Sequence, residues 1–237
     1  MYFTKTDKTA YLSGGFTLTC LLLAWGWSVW FVTAERLQGN VYRILYLHVP
    51  SAICAFFCSL LLFVLSLFCL LHRFRPSSSS LSFWCRSTAE IGLLFTILTL
   101  VTGSIWGKPT WGTWWTWDAR LTTTFILALL YCGYLLLSAS LPAGSLQQRV
   151  CAVMGILVFV DVPIIYKSVT WWRTLHQPPS LSLTGSVMMD GEILRHLLLS
   201  MALMLTACLW LIWQRSINLR LQAEFEKASF ALARKDF

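Results

Sequence analysis

Apolar residues gather in six runs separated by short polar stretches: 14–34, 45–71, 88–106, 121–140, 149–168 and 194–213. A helix crossing the hydrocarbon core of a bilayer needs about 20 predominantly apolar residues. Lipid offers no water to backbone N–H and C=O groups, so each run must satisfy them internally, as a helix does. The pattern therefore predicts an all-α, polytopic membrane protein with six transmembrane helices. The second run is long enough to tilt or to project from the bilayer. The first follows Met-Tyr-Phe-Thr-Lys-Thr-Asp-Lys without a small-residue cleavage site, so it reads as a retained helix. Beyond residue 213 the chain turns polar, and Leu219, Phe225, Ala228 and Leu232 fall on one weak helical stripe. Two parts result: a six-helix domain over 1–213 and a tail over 214–237. Ser77–Ser80 reads as a short linker, and no internal repeat is visible.

Composition agrees with this division. The 237 residues are 57% hydrophobic and 12% charged, against about 25% charged in soluble domains. The net charge of +8 sits at the ends of the apolar runs, where it sets topology, and no nucleic-acid-binding motif accompanies it. Eleven Lys and Arg residues fall on the side of the termini and seven on the other. The excess marks the side of the termini as cytoplasmic. The segments 106–120 and 169–193 then lie outside. The eight cysteines include no Cys-x-x-Cys pair. They read as small apolar packing groups, and covalent haem attachment through Cys-x-x-Cys-His is excluded.

Tryptophan changes the picture. Seven of the thirteen fall in the two outer segments, five of them in Trp106–Asp118. An indole offers a flat apolar face and one N–H donor. Such a cluster is either an aromatic belt at the headgroup level or a platform for a wide, flat, apolar ligand. Trp84, Trp210 and Trp213 are few on the inner side, and this asymmetry favours a platform. Were 111–118 helical, Trp111, Trp114, Trp115 and Asp118 would share a face, with Trp117 pointing elsewhere. Asp118 also stands where the N-cap of the fourth helix is expected.

Of four histidines, His72 and His196 read as interfacial. His48, in Tyr-Leu-His-Val-Pro-Ser, lies at membrane depth near the outer end of the second run, where an ionisable group is a functional candidate. His176, in Trp-Trp-Arg-Thr-Leu-His-Gln-Pro-Pro, lies in the other outer segment. Two neutral imidazoles can fill both axial positions of a haem iron. Arg43, Arg120 and Arg173 stand in the right segments to bind carboxylates. Lone histidines beside tryptophan are also common as structural groups. No nucleophile–base pair, His-Glu-x-x-His or Gly-x-Ser-x-Gly is present, so no enzyme activity is expected.

The string Trp-Gly-x-x-Trp-x-Trp-Asp, here Trp111–Asp118, together with the segments around His48 and His176, resembles the CcmC family of cytochrome c maturation proteins. Larger relatives carry Pro after the Asp, where this chain has Ala119. The resemblance covers nearly the whole chain. It implies an inner-membrane protein, both termini cytoplasmic, that holds haem b non-covalently as cargo at the periplasmic face. His48 and His176 would be the axial ligands. Trp111, Trp114, Trp115, Trp117 and Asp118 would form the platform, with Arg43 and Arg120 as basic partners. The implied recipient is the haem chaperone CcmE, and the implied complex contains CcmA, CcmB and CcmD. No Walker motif is present, so ATP hydrolysis would belong to a partner. The rival reading is a haem exporter subunit, with Glu90 and Asp161 as the only acidic candidates along a path.

Overall fold

The computed structural model describes residues 5–71, 79–176 and 189–233. It contains six long helices: α1 (Lys5–Trp30), α2 (Leu45–Leu71), α3 (Ser79–Trp111), α4 (Ala119–Ser140), α5 (Ser145–Trp171) and α6 (Gly191–Ala233). All six are long and apolar enough to cross a membrane. Among the described residues there is no strand, and one short 3₁₀ turn (Asn40–Ile44) precedes α2. The all-α polytopic expectation holds.

The helices run past the apolar windows, α3 from Ser79 to Trp111, and hydroxyls within them bond to their own backbone. Thr96, Thr99 and Thr102 each donate a hydroxyl to the carbonyl four residues earlier, at 2.7–2.8 Å. Their polar atoms are thereby satisfied inside the helix itself. α6 continues unbroken from the sixth run into the tail, so residues 214–233 extend that helix instead of forming a separate one. His72 and residues 234–237 lie outside the described residues.

α2 occupies the centre, against α3, α5 and α6, while α4 bridges α3 and α5 and α1 rests on the outside of α6. The core where they meet contains Cys54, Cys58 and Leu62 of α2, Ala89 of α3, Tyr131 of α4, Val158 of α5 and Cys208 of α6. Small side chains let the backbones approach, which drives helix association where lipid is as apolar as leucine. All eight cysteines are free thiols and five are buried, whereas Cys132 is exposed. Tyr131 is fully buried and donates its hydroxyl to the Ala55 carbonyl at 3.1 Å. Large apolar side chains such as Leu94, Ile97, Val101, Leu129, Leu157 and Leu199 face outward, as hydrocarbon contact requires.

At the other end of α3 and α6, Glu90 receives Arg86 at 3.0 Å and also pairs with Arg215. One of the two acids considered for a transmembrane path is thus held in an ion-pair cluster. The other, Asp161, is buried in α5 and its Oδ2 has no hydrogen-bond partner.

Gly92 makes the α3–α4 contact possible: a Cβ there would sit 2.4 Å from Tyr131 Cζ. Gly92→Ala is expected to destabilise the solubilised protein by about 1–3 kcal/mol, the cost of overpacking. Gly15→Ala, with nothing within 4 Å of the added carbon, is the control. Thermal unfolding in one detergent should show a lower Tm for the first only.

A cavity between two histidines

The ends of α1, α3 and α5 and the starts of α2, α4 and α6 meet at one end of the bundle. There a cavity of about 280 Å³ opens among them. His48, His176, Trp106, Trp111, Trp115 and Arg120 all line it, and its inner part is bounded by Ala55, Phe56, Thr96 and Leu127.

His48 lies in the first turns of α2, and its Nδ1 is 3.0 Å from Thr102 Oγ1. A threonine hydroxyl has one proton, and that of Thr102 is directed to the α3 backbone at Leu98 O (2.7 Å) or Thr99 O (3.2 Å). The oxygen is therefore the acceptor, and Nδ1–H is the donor. In the neutral imidazole this leaves the lone pair on Nε2, the form in which histidine binds a metal. Gly103 admits the ring, since a Cβ there would come within 2.9 Å of His48 Cε1. Trp106 meets the imidazole edge-on, with centroids 5.7 Å apart and planes at 82°. Its Nε1 donates to Gln38 Oε1 at 2.7 Å. Trp106 therefore fixes both the ring and the α1–α2 connection over it. Thr102 was not a candidate from sequence, and Trp106 stood there only as a member of the tryptophan cluster; a hydroxyl inside the α3 run, at the depth of His48, was the available signal.

The tryptophan segment is not a helix. α3 ends at Trp111, and Gly112 takes φ 79°, the left-handed backbone that glycine adopts without a Cβ penalty. Its N–H returns to the Lys108 carbonyl at 3.0 Å, a glycine C-cap. Residues 112–118 then cross the bundle irregularly. Lys108 Nζ donates to the Gly112 carbonyl at 3.0 Å, and Ser104 Oγ to the Trp114 carbonyl at 2.6 Å. The one-face arrangement expected for Trp111, Trp114, Trp115 and Asp118 fails because this cap stops the helix first. Trp111 and Trp115 line the cavity; Trp114 and Trp117 do not, and they are 56% and 75% exposed.

Asp118 caps α4 as expected, accepting from Leu121 N at 2.8 Å through Oδ1. Its other oxygen, Oδ2, accepts from Leu175 N at 3.2 Å. One carboxylate thus joins the start of α4 to the residue preceding His176. The His176 ring lies 6.1 Å from that of Trp111, with planes at 60°. Asp118 itself does not line the cavity.

The two candidate arginines part company. Arg43 donates through Nη1 to the Val29 carbonyl and through Nη2 to the Val32 carbonyl at 2.8 Å. It holds the end of α1 and is not a lining residue. Arg120 lines the cavity, and its Nη1 is buried without a partner. The same holds for Trp115 Nε1. Buried donors are rarely left unpaired, so this wall offers two N–H groups to an acceptor that enters. Lys108 and Arg173 are not lining residues.

Asp118→Ala should lower stability by about 1 kcal/mol through loss of the cap. It should also speed amide hydrogen exchange at both Leu121 and Leu175. Exchange followed by mass spectrometry checks this; protection retained at Leu175 would mean that the carboxylate does not hold the second loop.

Comparison with known proteins places this arrangement. The family profile described as CcmC, heme exporter protein C, matches residues 2–230. Heme exporter protein C of Escherichia coli (strain K12) is 40% identical over 161 residues, 68% of this chain and 64% of that protein. The chain thus matches less than two thirds of that relative's length. Heme exporter protein C of Haemophilus influenzae is 38% identical over 196 residues, 82% of this chain and 78% of its own. A putative cytochrome c biosynthesis ccmC-like mitochondrial protein of Marchantia polymorpha is 38% identical over 159 residues, 67% of this chain and 65% of that one. By this match over nearly its whole length, the chain belongs to the CcmC family of multi-pass membrane proteins.

Proposed function

We propose that the cavity holds haem b as non-covalent cargo for cytochrome c maturation, with its iron between His48 and His176. The observation that carries this reading is the convergence of the two imidazoles, from α2 and from the loop after α5, on one cavity. His48 offers Nε2 because its Nδ1–H donates to Thr102 Oγ1. Iron ligation is the chemistry the cargo contributes; the remaining tasks belong to the chain.

The donors that lack partners suit the cargo's charge. Arg120 Nη1 and Trp115 Nε1 can donate to a propionate, and a guanidinium–carboxylate bond is among the stronger protein hydrogen bonds. Trp106, Trp111 and Trp115 supply apolar faces to the macrocycle. Arg43 supports the site at one remove, by holding the end of α1. Asp118 does so by holding the His176 loop. Trp114 and Trp117, exposed at the rim, would meet the recipient, the chaperone CcmE. The site faces the periplasm, with both termini in the cytoplasm of a bacterial inner membrane, and CcmA, CcmB and CcmD are the associated subunits. The chain acts as a carrier with no catalytic group of its own.

The cavity favours holding over export. It stops at Ala55, Phe56 and Leu127, and next along α2 and α4 come the buried Cys58, Leu62 and Tyr131. A transmembrane route would have to open this core.

His48→Gly and His176→Gly should each convert the bis-histidine absorption spectrum of the haem-loaded protein to a singly ligated one, with partial restoration by added imidazole. A spectrum unchanged in both variants removes the axial assignment. Arg120→Gln should weaken haem binding about tenfold or more without altering the ligation spectrum, as measured by haem titration. Arg43→Gln should instead lower Tm.

A further inference from the structure

A second hollow lies beside the first. It is a groove of about 490 Å³ between the outer-loop ends of α3 and α4, lined by Leu100, Val101, Ser104, Ile105, Trp115, Trp117 and Phe125. Its one polar residue is Ser104, whose hydroxyl is already donated to the Trp114 carbonyl at 2.6 Å. The groove therefore offers a ligand mainly apolar contact. It is more open than the histidine cavity, and it continues the outward-facing row Leu94, Ile97, Val101 and Ile105 of α3, each about half exposed. In a bilayer that row faces acyl chains.

Leu100, Ser104 and Trp115 line both hollows. Trp115 is thus a shared wall, with the lipid-facing groove on one side and the two histidines on the other. Its indole meets two other rings edge-on. The Trp117 and Phe125 rings lie 5.5 and 6.1 Å away, at 83° and 78°, and its Nε1 has no hydrogen-bond partner. No polar bond has to break for the ring to turn. Trp117, Phe125 and Trp115 form a patch of three aromatic edges that can pass a flat apolar ring from one to the next.

We propose that haem enters the cavity sideways from the bilayer, between α3 and α4, with Trp115 as the swinging partition. This rests on the haem-holding reading and adds the source and the path. Haem is an amphiphile: its macrocycle dissolves among acyl chains while its propionates stay at the headgroups. The groove matches that posture. Ile105 lies six residues before the end of α3 at Trp111, about 9 Å along the axis, and Arg120 stands in the first turn of α4. The macrocycle can slide in at the depth of Ile105 while the carboxylates remain level with Arg120.

The test uses the full-length apoprotein in phosphatidylcholine vesicles. Haemin is supplied either dissolved in the lipid of a second vesicle population or bound in water to serum albumin, and the bis-histidine absorption band is followed in time. Ile105→Trp fills the groove from a position that does not itself line the histidine cavity. It should slow lipid-fed loading about fivefold or more, leave albumin-fed loading unchanged and reach the same final amplitude. Ile105→Ala, which widens the groove and adds no bulk, should make lipid-fed loading faster than in the unsubstituted protein. Unchanged lipid-fed rates in both variants, or equal slowing from both sources, overturn the lateral path. If the unsubstituted protein gives no bis-histidine band from either source, the haem-holding reading itself fails; that result is separable because it appears without any substitution.

Discussion

A single threonine proton decides which nitrogen of His48 is engaged by α3. Thr102 spends its proton on the α3 backbone and so presents His48 with an acceptor. In water a histidine exchanges tautomers freely; against this oxygen it cannot without losing a buried bond. The Nε2 lone pair of His48 is thereby held in a fixed direction. Gly103 supplies the room and Trp106 the side support. All three belong to α3, the helix against which the start of α2 lies, so the imidazole is held by a rigid element and not by a loop. The histidine itself would be inert to this logic one residue up or down the helix.

The second imidazole is held differently. His176 sits on a loop, and what ties that loop down is the far oxygen of Asp118 at Leu175 N. A carboxylate serves because it has two acceptors: one caps α4, the other spans to the neighbouring segment. One imidazole is thus held by a helix and the other by a tethered loop.

Much of this was legible in the sequence. The six crossings follow from apolar length alone, since a lipid-exposed backbone has no alternative to the helix. Asp118 as a cap follows from its place before Ala119. His48 stood out because an ionisable group at membrane depth needs a reason. What could not be read were features set by where the backbone turns. Gly112 ends α3 and breaks the spacing that would have aligned Trp111, Trp114 and Trp115. Arg43 looked like an anion partner from its position, but two carbonyls at the end of α1 occupy it. Arg120 carries the same charge at a helix start, and its Nη1 faces the cavity without a partner. Charge was visible in both; the competition for it was not. Trp115 lines the cavity and Trp117 does not, because residues 112–118 follow no regular repeat that spacing could have revealed.

α6 has a mechanical corollary. From Gly191 to Ala233 it contains no proline and no second glycine, the usual causes of a kink. At about 1.5 Å per residue it measures roughly 64 Å, some twice the ~30 Å hydrocarbon thickness. Near one end Glu192 bonds Thr33, in the connection that roofs the histidines; in its second half Arg215 grips Glu90. A rod without a hinge moves as one piece, so a push delivered to its far tip must tilt the roof as well.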